Sequence, residues 1–203
     1  DYLLVGQKSG DVYALDPDKG GAVVWHNKVG RGGFLGGVHW GMSANGDSLF
    51  VPIADTTITG RFSGPVSPGI HALDPTSGEV RWYTPSVADC DGKSPIPVCD
   101  QGMSAAITST DQLVFAGSLD GNLNVYDSLS GEILWSFDTF GDFESVSGDT
   151  ALGGSIESDG PVLYKGHVLI NSGYQFGARM PGNALMVFSL PPEADLARST
   201  RDE

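Results

Sequence analysis

A repeated unit of sequence constrains the fold of this chain more than any other feature. Its three copies are GQKSGDVYALDPDKGGAVVW (6–25), SPGIHALDPTSGEVRW (67–82) and GSLDGNLNVYDSLSGEILW (117–135). Each copy contains an apolar alternating stretch, an aspartate, a short turn with glycine, and a second strand that carries a tryptophan. The recurring residues are Asp16, Asp74 and Asp127 with Trp25, Trp82 and Trp135. Such a repeat indicates that one supersecondary unit is stacked several times along the chain.

The residue types of the unit predict how it folds. Alternation such as VYALD and NLNVYD predicts strands that are buried on one or both faces. The aspartate is expected to cap its own turn by accepting backbone N–H bonds, and the glycine to take a positive φ. The tryptophan is expected to pack on the next unit, with its indole N–H donating to a carbonyl.

Further strands complete the unit. SLFVPIAD (48–55) and QLVFAGS (112–118) precede the second and third copies, and GGVHWGMSA (36–44) and GMSAAIT (102–108) come before those. Asn45-Gly46 is expected to form the turn between the first two strands. Four antiparallel strands repeated every 40 to 60 residues predict the blade of a β-propeller.

The ends of the chain carry incomplete blades. Residues 1 to 30 hold three strands and no inner strand, and residues 151 to 190 hold GGSIES, HVLINSG and NALMVFSL but no fourth strand. We therefore predict an all-β partial propeller over residues 1–191, with about four blades of which two are complete. Residues 192–203 are expected to form a polar C-terminal tail, and the chain to be part of a larger propeller.

Composition excludes several classes of function. The net charge is -14, with 25 acidic and 11 basic residues, which argues against nucleic acid as a partner because phosphate binding needs clustered Lys and Arg. The acidic excess is explained either by solubility or by carboxylates that bind a cation. No apolar run approaches 18 residues, so the sequence predicts no membrane span.

The two cysteines lie nine residues apart in the segment DCDGKSPIPVCD. Cys90 and Cys99 form no C-x-x-C pair that would indicate zinc. A disulfide that closes this loop would indicate an oxidising compartment. The alternative is two unrelated thiols in a reducing compartment.

The unit G-x-x-x-G-x-ϕ-x-ϕ-ϕ-D-x-x-x-G-x-ϕ-x-W, where ϕ is apolar, resembles the tryptophan-docking repeat of quinoproteins. These are the pyrroloquinoline-quinone (PQQ) dependent alcohol dehydrogenases and their non-enzymatic relatives, including outer-membrane assembly propellers. Four stretches look like the C-terminal half of polyvinyl-alcohol-dehydrogenase-like quinoproteins. They are GGVHWGMSANGDSLFVPIAD (36–55), DFESVSG (142–148), NSGY (171–174) and MPGNALMVFSL (180–190).

The resemblance implies roles for five residues. Trp40 matches the tryptophan beneath the quinone in the family's GG-x-x-W-G strand, with core filling as the alternative. The register of a calcium ligand falls on Thr56, which is therefore expected in the cofactor site. Its neighbour Asp55 is the preferred metal ligand, and the alternative for Asp55 is a turn cap. Asp100 matches the family's catalytic base, and the alternative is that it is an exposed acidic residue of a loop. Asn171 is a candidate hydrogen-bond partner of the quinone, and the alternative is that it only ends a strand.

Three parts of the family pattern differ, the first being the usual Asn of the calcium-ligand register, which is Thr56 here. The register of the basic residue that contacts the quinone gives Leu119-Asp120, and the family's adjacent cysteine pair is absent. By strand alternation His39 is expected on the face opposite Trp40, packed between blades. Asp142 and Glu144 are expected in a long loop, at the channel mouth or simply exposed.

Two functions follow from the resemblance. The first is part of a periplasmic or secreted oxidoreductase that oxidises alcohol hydroxyls with PQQ and Ca²⁺ and passes electrons to cytochrome c. The chain has no C-x-x-C-H, so no covalent haem is expected in it. The second is a non-catalytic propeller that serves as a scaffold for protein or glycan binding.

Overall fold

The structure is a computed structural model that describes residues 1–56, 63–95, 98–174 and 177–190. Within those ranges it contains strands, a 3₁₀ turn at Pro17–Lys19 and no α-helix. No helix among them has the length and apolar character needed to cross a membrane. The strands are β1 (Leu3–Gly6), β2 (Asp11–Asp16), β3 (Ala22–Lys28), β4 (Ser43–Ala44), β5 (Leu49–Ile53), β6 (Gly69–Leu73), β7 (Val80–Pro85), β8 (Thr108–Ser109), β9 (Leu113–Gly117), β10 (Asn122–Asp127), β11 (Ile133–Asp138), β12 (Gly141–Glu144), β13 (Thr150–Gly153), β14 (Val162–Tyr164), β15 (His167–Ser172) and β16 (Ala184–Ser189).

All of these strands except β12 and β13, which pair with each other, form four blades of antiparallel sheet. The first blade is β1-β2-β3 and the fourth is β14-β15-β16, each with three strands. The second blade is β4-β5-β6-β7 and the third is β8-β9-β10-β11, each with four. The predicted partial propeller, with two complete blades between two incomplete ones, is confirmed. The predicted polar tail, residues 192–203, lies outside the described residues.

The central strands are apolar at successive positions because each central blade is covered on both faces, so that neighbouring side chains pack on different blades. On β5, Val51 and Ile53 pack against Val12 of the first blade. Phe50 directly precedes Val51, points to the opposite face of the strand, and packs with Val114 of the third blade. The cluster between the third and fourth blades contains Ala105, Leu123, Ile156 and Ile170.

Two of the three repeat tryptophans dock with the predicted hydrogen bond, and Trp135 packs edge-on against Phe188 of the fourth blade. The indole N–H of Trp25 donates to the carbonyl of Pro75 (3.0 Å), and that of Trp82 to the carbonyl of Ser128 (3.1 Å). Each acceptor lies in the turn before the outer strand of the next blade. An added Cβ at Gly78 would lie 2.5 Å from the Trp25 ring, so the ring covers this turn at a distance that only glycine permits.

The repeat aspartates cap their turns, as predicted. Asp74 Oδ1 accepts from the N–H of Thr76 (2.8 Å) and Ser77 (3.2 Å), and Gly78 has φ +75°. The Arg81 guanidinium, 2.7 Å from the carboxylate, holds the pKa of Asp74 well below its usual range. Asp16 and Asp127 make the same kind of cap.

The inner strands are shorter than predicted. Only Ser43–Ala44 and Thr108–Ser109 pair regularly within their blades. Of the residues before them, Val38 donates its N–H to the carbonyl of Gln7 (3.0 Å), in the preceding blade. An N–H group that donates to the preceding blade is not available for a regular strand ladder within its own blade. We call residues 36–42, 101–107 and 154–160 the inner segments.

Two expectations about the last quarter of the chain are wrong. GGSIES does not form an inner strand beyond Gly153; β14 at Val162–Tyr164 takes that place. The supposed loop with Asp142 and Glu144 is a hairpin, since β12 pairs with β13. Both carboxylates lie on β12 and are exposed.

The other local predictions are confirmed. Asn45 makes the turn between β4 and β5, where its side-chain oxygen accepts from the N–H of Asp47 (3.0 Å) and Ser48 (2.8 Å). Cys90 and Cys99 form a disulfide.

Candidate functional site

Three of the predicted site residues lie on or beside neighbouring inner segments. Trp40 lies on the first inner segment, Thr56 follows β5, and Asp100 directly precedes the second inner segment. The N–H of Met103 donates to the carbonyl of Ile53 (3.2 Å), which joins the second and third blades. A Cβ added at Gly102 would lie 3.1 Å from Thr56 Cγ2. This group of segments is the candidate site.

Trp40 presents an aromatic surface in this group. Its side chain is 50% exposed, so it does not fill the core. By contrast, the docking Trp25 is only 8% exposed. Its ring centroid lies 4.9 Å from that of His39, with the planes at 41°. The half-exposed indole is available to a planar ligand.

His39 joins the second blade to the third, as predicted. Its Nδ1 lies 2.6 Å from Ser104 Oγ on the second inner segment. Burial, together with the positive charges of Lys8 and Arg179, lowers the pKa of His39 to about 4. The imidazole is therefore neutral at neutral pH. The expectation that His39 and Trp40 lie on opposite faces is wrong, because the backbone bends here and the rings are adjacent.

Thr56 is buried beside this group. Its carbonyl accepts from Arg31 Nη2 (2.9 Å), and its side-chain Oγ1 has no hydrogen-bond partner among the described residues. A buried hydroxyl without a partner is costly. Thr56 Oγ1 is thus suited to a hydrogen bond with a bound ligand.

Asp100 is fully buried, so its interpretation as an exposed loop acid is wrong. One carboxylate oxygen accepts from the N–H of Gly102 (2.9 Å). This bond orients the carboxylate at the start of the second inner segment. A buried, oriented carboxylate is a reasonable general base when a substrate hydroxyl lies within reach.

Asp55 has a different environment. It is fully buried, and its carboxylate accepts four backbone hydrogen bonds at 2.6–3.2 Å. The donors are Arg31, Gly32, Gly37 and Ser67. These bonds fit the turn-cap alternative and do not fit the predicted calcium ligand. Among the described residues there is also no group of three or more His, Cys, Asp or Glu side chains that could hold a metal ion.

Asn171 lies on another surface. It is exposed on β15, and its neighbour Ile170 is buried toward the third blade. Strand alternation therefore directs Asn171 to the outward face of the fourth blade. It lines a shallow groove there with Val162 and Leu185. The structure does not bring Asn171 together with the segments that carry Trp40.

Sequence reasoning missed the charged residues at the fourth blade. Glu157 and Arg179 are buried, with 3.8 Å between Oε1 and Nε. Glu157 follows Ile156, as His39 follows Val38 and Ser104 follows Met103 in the other inner segments. Aligning those segments would have shown this position, but nothing local indicated Arg179.

Comparison with known proteins supports both the fold and the repeat. The PQQ_2 family, described as outer membrane protein assembly factor BamB, matches residues 8–151 and 67–178. Polyvinylalcohol dehydrogenase of Pseudomonas sp. is 35% identical over 199 residues, which are 93% of this chain and 30% of that protein. The chain thus spans about a third of the length of this relative. The 1-butanol dehydrogenase (cytochrome c) of Thauera butanivorans is 33% identical over 112 residues, 54% of this chain and 15% of that protein.

Solved structures show the same fold. BamB from Moraxella catarrhalis has a TM-score of 0.57 at 18% identity, covering 85% of this chain and 44% of that one. Quinohemoprotein alcohol dehydrogenase from Comamonas testosteroni has a TM-score of 0.57 at 17% identity, covering 85% and 28%. At these identities the likeness concerns the fold alone.

Proposed function

The chain belongs to the PQQ_2 family of repeat propellers, and we propose that it is part of a quinoprotein that oxidises alcohol hydroxyls with PQQ. The observation that carries the proposal is Trp40, a half-exposed indole outside the docking register. The names of the relatives, polyvinylalcohol dehydrogenase and 1-butanol dehydrogenase (cytochrome c), support an alcohol as substrate and cytochrome c as electron acceptor.

Two residues of the site suit the quinone. The exposed part of the Trp40 indole offers a flat surface on which a planar ring system can stack. The Thr56 hydroxyl, buried and without a partner among the described residues, would donate a hydrogen bond to a bound carbonyl or carboxylate. PQQ supplies an acceptor for the two electrons that leave the alcohol carbon as hydride.

Asp100 is proposed to take the proton of the alcohol. Its carboxylate accepts the Gly102 N–H, and a carboxylate oriented in this way can receive the proton as the hydroxyl becomes a carbonyl. His39 would contribute packing beside Trp40 and not a proton, because its lowered pKa keeps it neutral.

The calcium ion implied by the resemblance does not fit Asp55, whose lone pairs are occupied by backbone N–H groups. We therefore derive no step through calcium. The disulfide between Cys90 and Cys99 supports an oxidising compartment, and we propose a periplasmic or secreted location.

A titration of the full protein with PQQ tests the proposal. Trp40→Ala should weaken PQQ binding by about tenfold, since aromatic stacking contributes about 0.5–1.5 kcal/mol beyond buried area. Trp135→Phe is the matched control, because Trp135 is 40% exposed but occupies a docking position. Its PQQ affinity should equal that of wild type.

Asp100→Asn separates binding from chemistry. It should lower kcat of dye-linked alcohol oxidation by about 10²–10⁴-fold and leave PQQ affinity unchanged. Wild-type protein that binds no PQQ, with or without added Ca²⁺, would overturn the proposal. The second candidate function, a non-catalytic scaffold, would then be favoured; the description of the matching family supports it.

A further inference from the structure

We infer that Asp55 is a positioning residue that anchors the loop leading to Trp40, and that it is not a metal ligand. The loop, residues 31–37, connects the outer strand of the first blade to the first inner segment. The anchoring itself is independent of the proposed function. Only its effect on cofactor binding rests on the proposal that Trp40 contacts PQQ.

The Asp55 carboxylate holds this loop through backbone groups alone. Oδ1 accepts from the N–H of Gly32 and Gly37, both at 3.0 Å. Oδ2 accepts from the N–H of Arg31 (2.6 Å) and Ser67 (3.2 Å). Asp55 has φ +28°, in a region that non-glycine residues occupy only when their surroundings hold them there. The aspartate is thus fixed at both its backbone and its side chain.

Asp120 repeats the arrangement one blade later. FVPIAD (50–55) and FAGSLD (115–120) end on equivalent aspartates, and the third blade has the same bond from Leu119 N–H to Gly102 as Ala54 N–H makes to Gly37. Asp120 Oδ2 accepts from the N–H of Asp89 (3.0 Å), which lies in the loop between the second and third blades. In both the second and the third blade, the aspartate at this position therefore binds the loop that arrives from the preceding blade.

The chemistry of the carboxylate opposes metal binding. An ionised carboxylate has about four lone-pair sites, and Asp55 uses four for N–H donors. A cation would displace some of these donors and leave buried N–H groups without acceptors, which is costly. It would also bring a positive charge to the place toward which four amide dipoles already point their positive ends.

The anchored loop leads directly to Trp40. Gly37, a donor to Asp55, precedes Trp40 by three residues and accepts the N–H of Ala54 (2.9 Å). The next residue, Val38, donates to Gln7 of the first blade (3.0 Å). Asp55 therefore fixes the start of the segment that carries the indole, and Ser104 holds the same segment through His39, the residue before Trp40.

Hydrogen exchange of the unsubstituted full chain tests the inference without any variant. A peptide spanning residues 31–37 should exchange slowly in calcium-free protein, and its rate should not change when Ca²⁺ is added. Fast exchange without Ca²⁺, or a rate that changes on adding it, would overturn the inference, because a metal ligand must release the loop amides.

Asp55→Asn provides the second measurement, with Asp120→Asn as the matched control. The amide presents N–H where two donors point, so exchange of residues 31–37 should accelerate at least tenfold and Trp40 emission should shift. Asp120→Asn should accelerate exchange near Asp89 and leave the Trp40 signal unchanged. Trp40 emission is isolated by subtracting spectra recorded in a Trp40→Phe background.

Affinities separate the roles. Asp55→Asn should raise the dissociation constant of PQQ about tenfold and leave any Ca²⁺ affinity of the wild type unchanged. Loss of Ca²⁺ binding with unchanged exchange at 31–37 would identify Asp55 as a ligand and overturn the inference. If the wild type binds no PQQ, the proposed function fails, and the exchange experiment still decides the role of Asp55. If Asp55→Asn does not fold, the wild-type exchange experiment decides it.

Discussion

Replacing Gly131 with alanine tests whether glycine is required there by the close contact between blades as well as by the turn conformation. The added Cβ would lie 2.5 Å from Cε3 of the docked Trp82 ring and 2.7 Å from Thr84 Oγ1. Gly131 also has φ +75°. Gly166 is the matched control: it has φ +77° in the turn between β14 and β15, with no described atom within 4 Å of the added Cβ.

The two substitutions share one cost and differ in the other. The left-handed conformation costs alanine about 1–2 kcal/mol, of which about 0.4–1 kcal/mol is offset by the stiffer unfolded chain. Gly166→Ala should therefore lower the free energy of unfolding by about 1 kcal/mol. Gly131→Ala adds overpacking against a rigid indole, about 1–3 kcal/mol more.

Urea unfolding followed by circular dichroism measures this difference, and thermal unfolding gives a second reading. Gly131→Ala should melt several degrees below Gly166→Ala, since 1 kcal/mol shifts Tm by about 2–4 °C in a chain of this size. Equal losses for both variants would show that the turn conformation alone requires glycine, and would refute the close contact between Trp82 and its neighbouring blade.

Three further predictions concern docking, pH and the disulfide. Trp82→Phe keeps an aromatic ring but removes the bond to Ser128, and should cost about 0.5–1.5 kcal/mol in urea unfolding; a neutral result would contradict that bond. The pKa of His39 is lowered to about 4, so its stabilising effect is complete above the unfolded pKa of about 6.5 and is lost as pH falls toward 4. Unfolding measured from pH 7 to 4 should thus show a smaller loss of stability for His39→Gln than for wild type, and equal slopes would argue against burial. Removing the disulfide by a double Cys90→Ser, Cys99→Ser substitution should cost about 2–3 kcal/mol, and unchanged stability would show that the loop is ordered without it.

The repeat predicted most of the fold because its signals are local. The aspartate, glycine and tryptophan of each copy lie within ten residues of one another, and turn capping and positive φ depend on short-range geometry. Docking of Trp25 on Gly78 was also predictable, because the repeat implies that every unit meets an equivalent neighbour.

The candidate site was less predictable because its contacts are long-range. The donors to Asp55 lie between 24 residues before it and 12 residues after it, so its sequence position does not distinguish a metal ligand from a loop anchor. The outward position of Asn171 follows from strand alternation only once Ile170 is known to be buried toward the third blade. The hairpin from Gly141 to Gly153 was missed because its short strands contain glycine and acidic residues and bury little.

One series of backbone bonds has a consequence for folding. The N–H groups of Val38, Met103 and Ile156 donate to carbonyls at or just after the ends of β1, β5 and β9, in the first, second and third blades. Each bond couples only adjacent blades, so the cooperativity of the arc is a nearest-neighbour property, like that of a one-dimensional chain. Folding can start at any junction and spread from there. The three amides are therefore separate reporters, and the order in which they become protected would give the order in which the blades assemble.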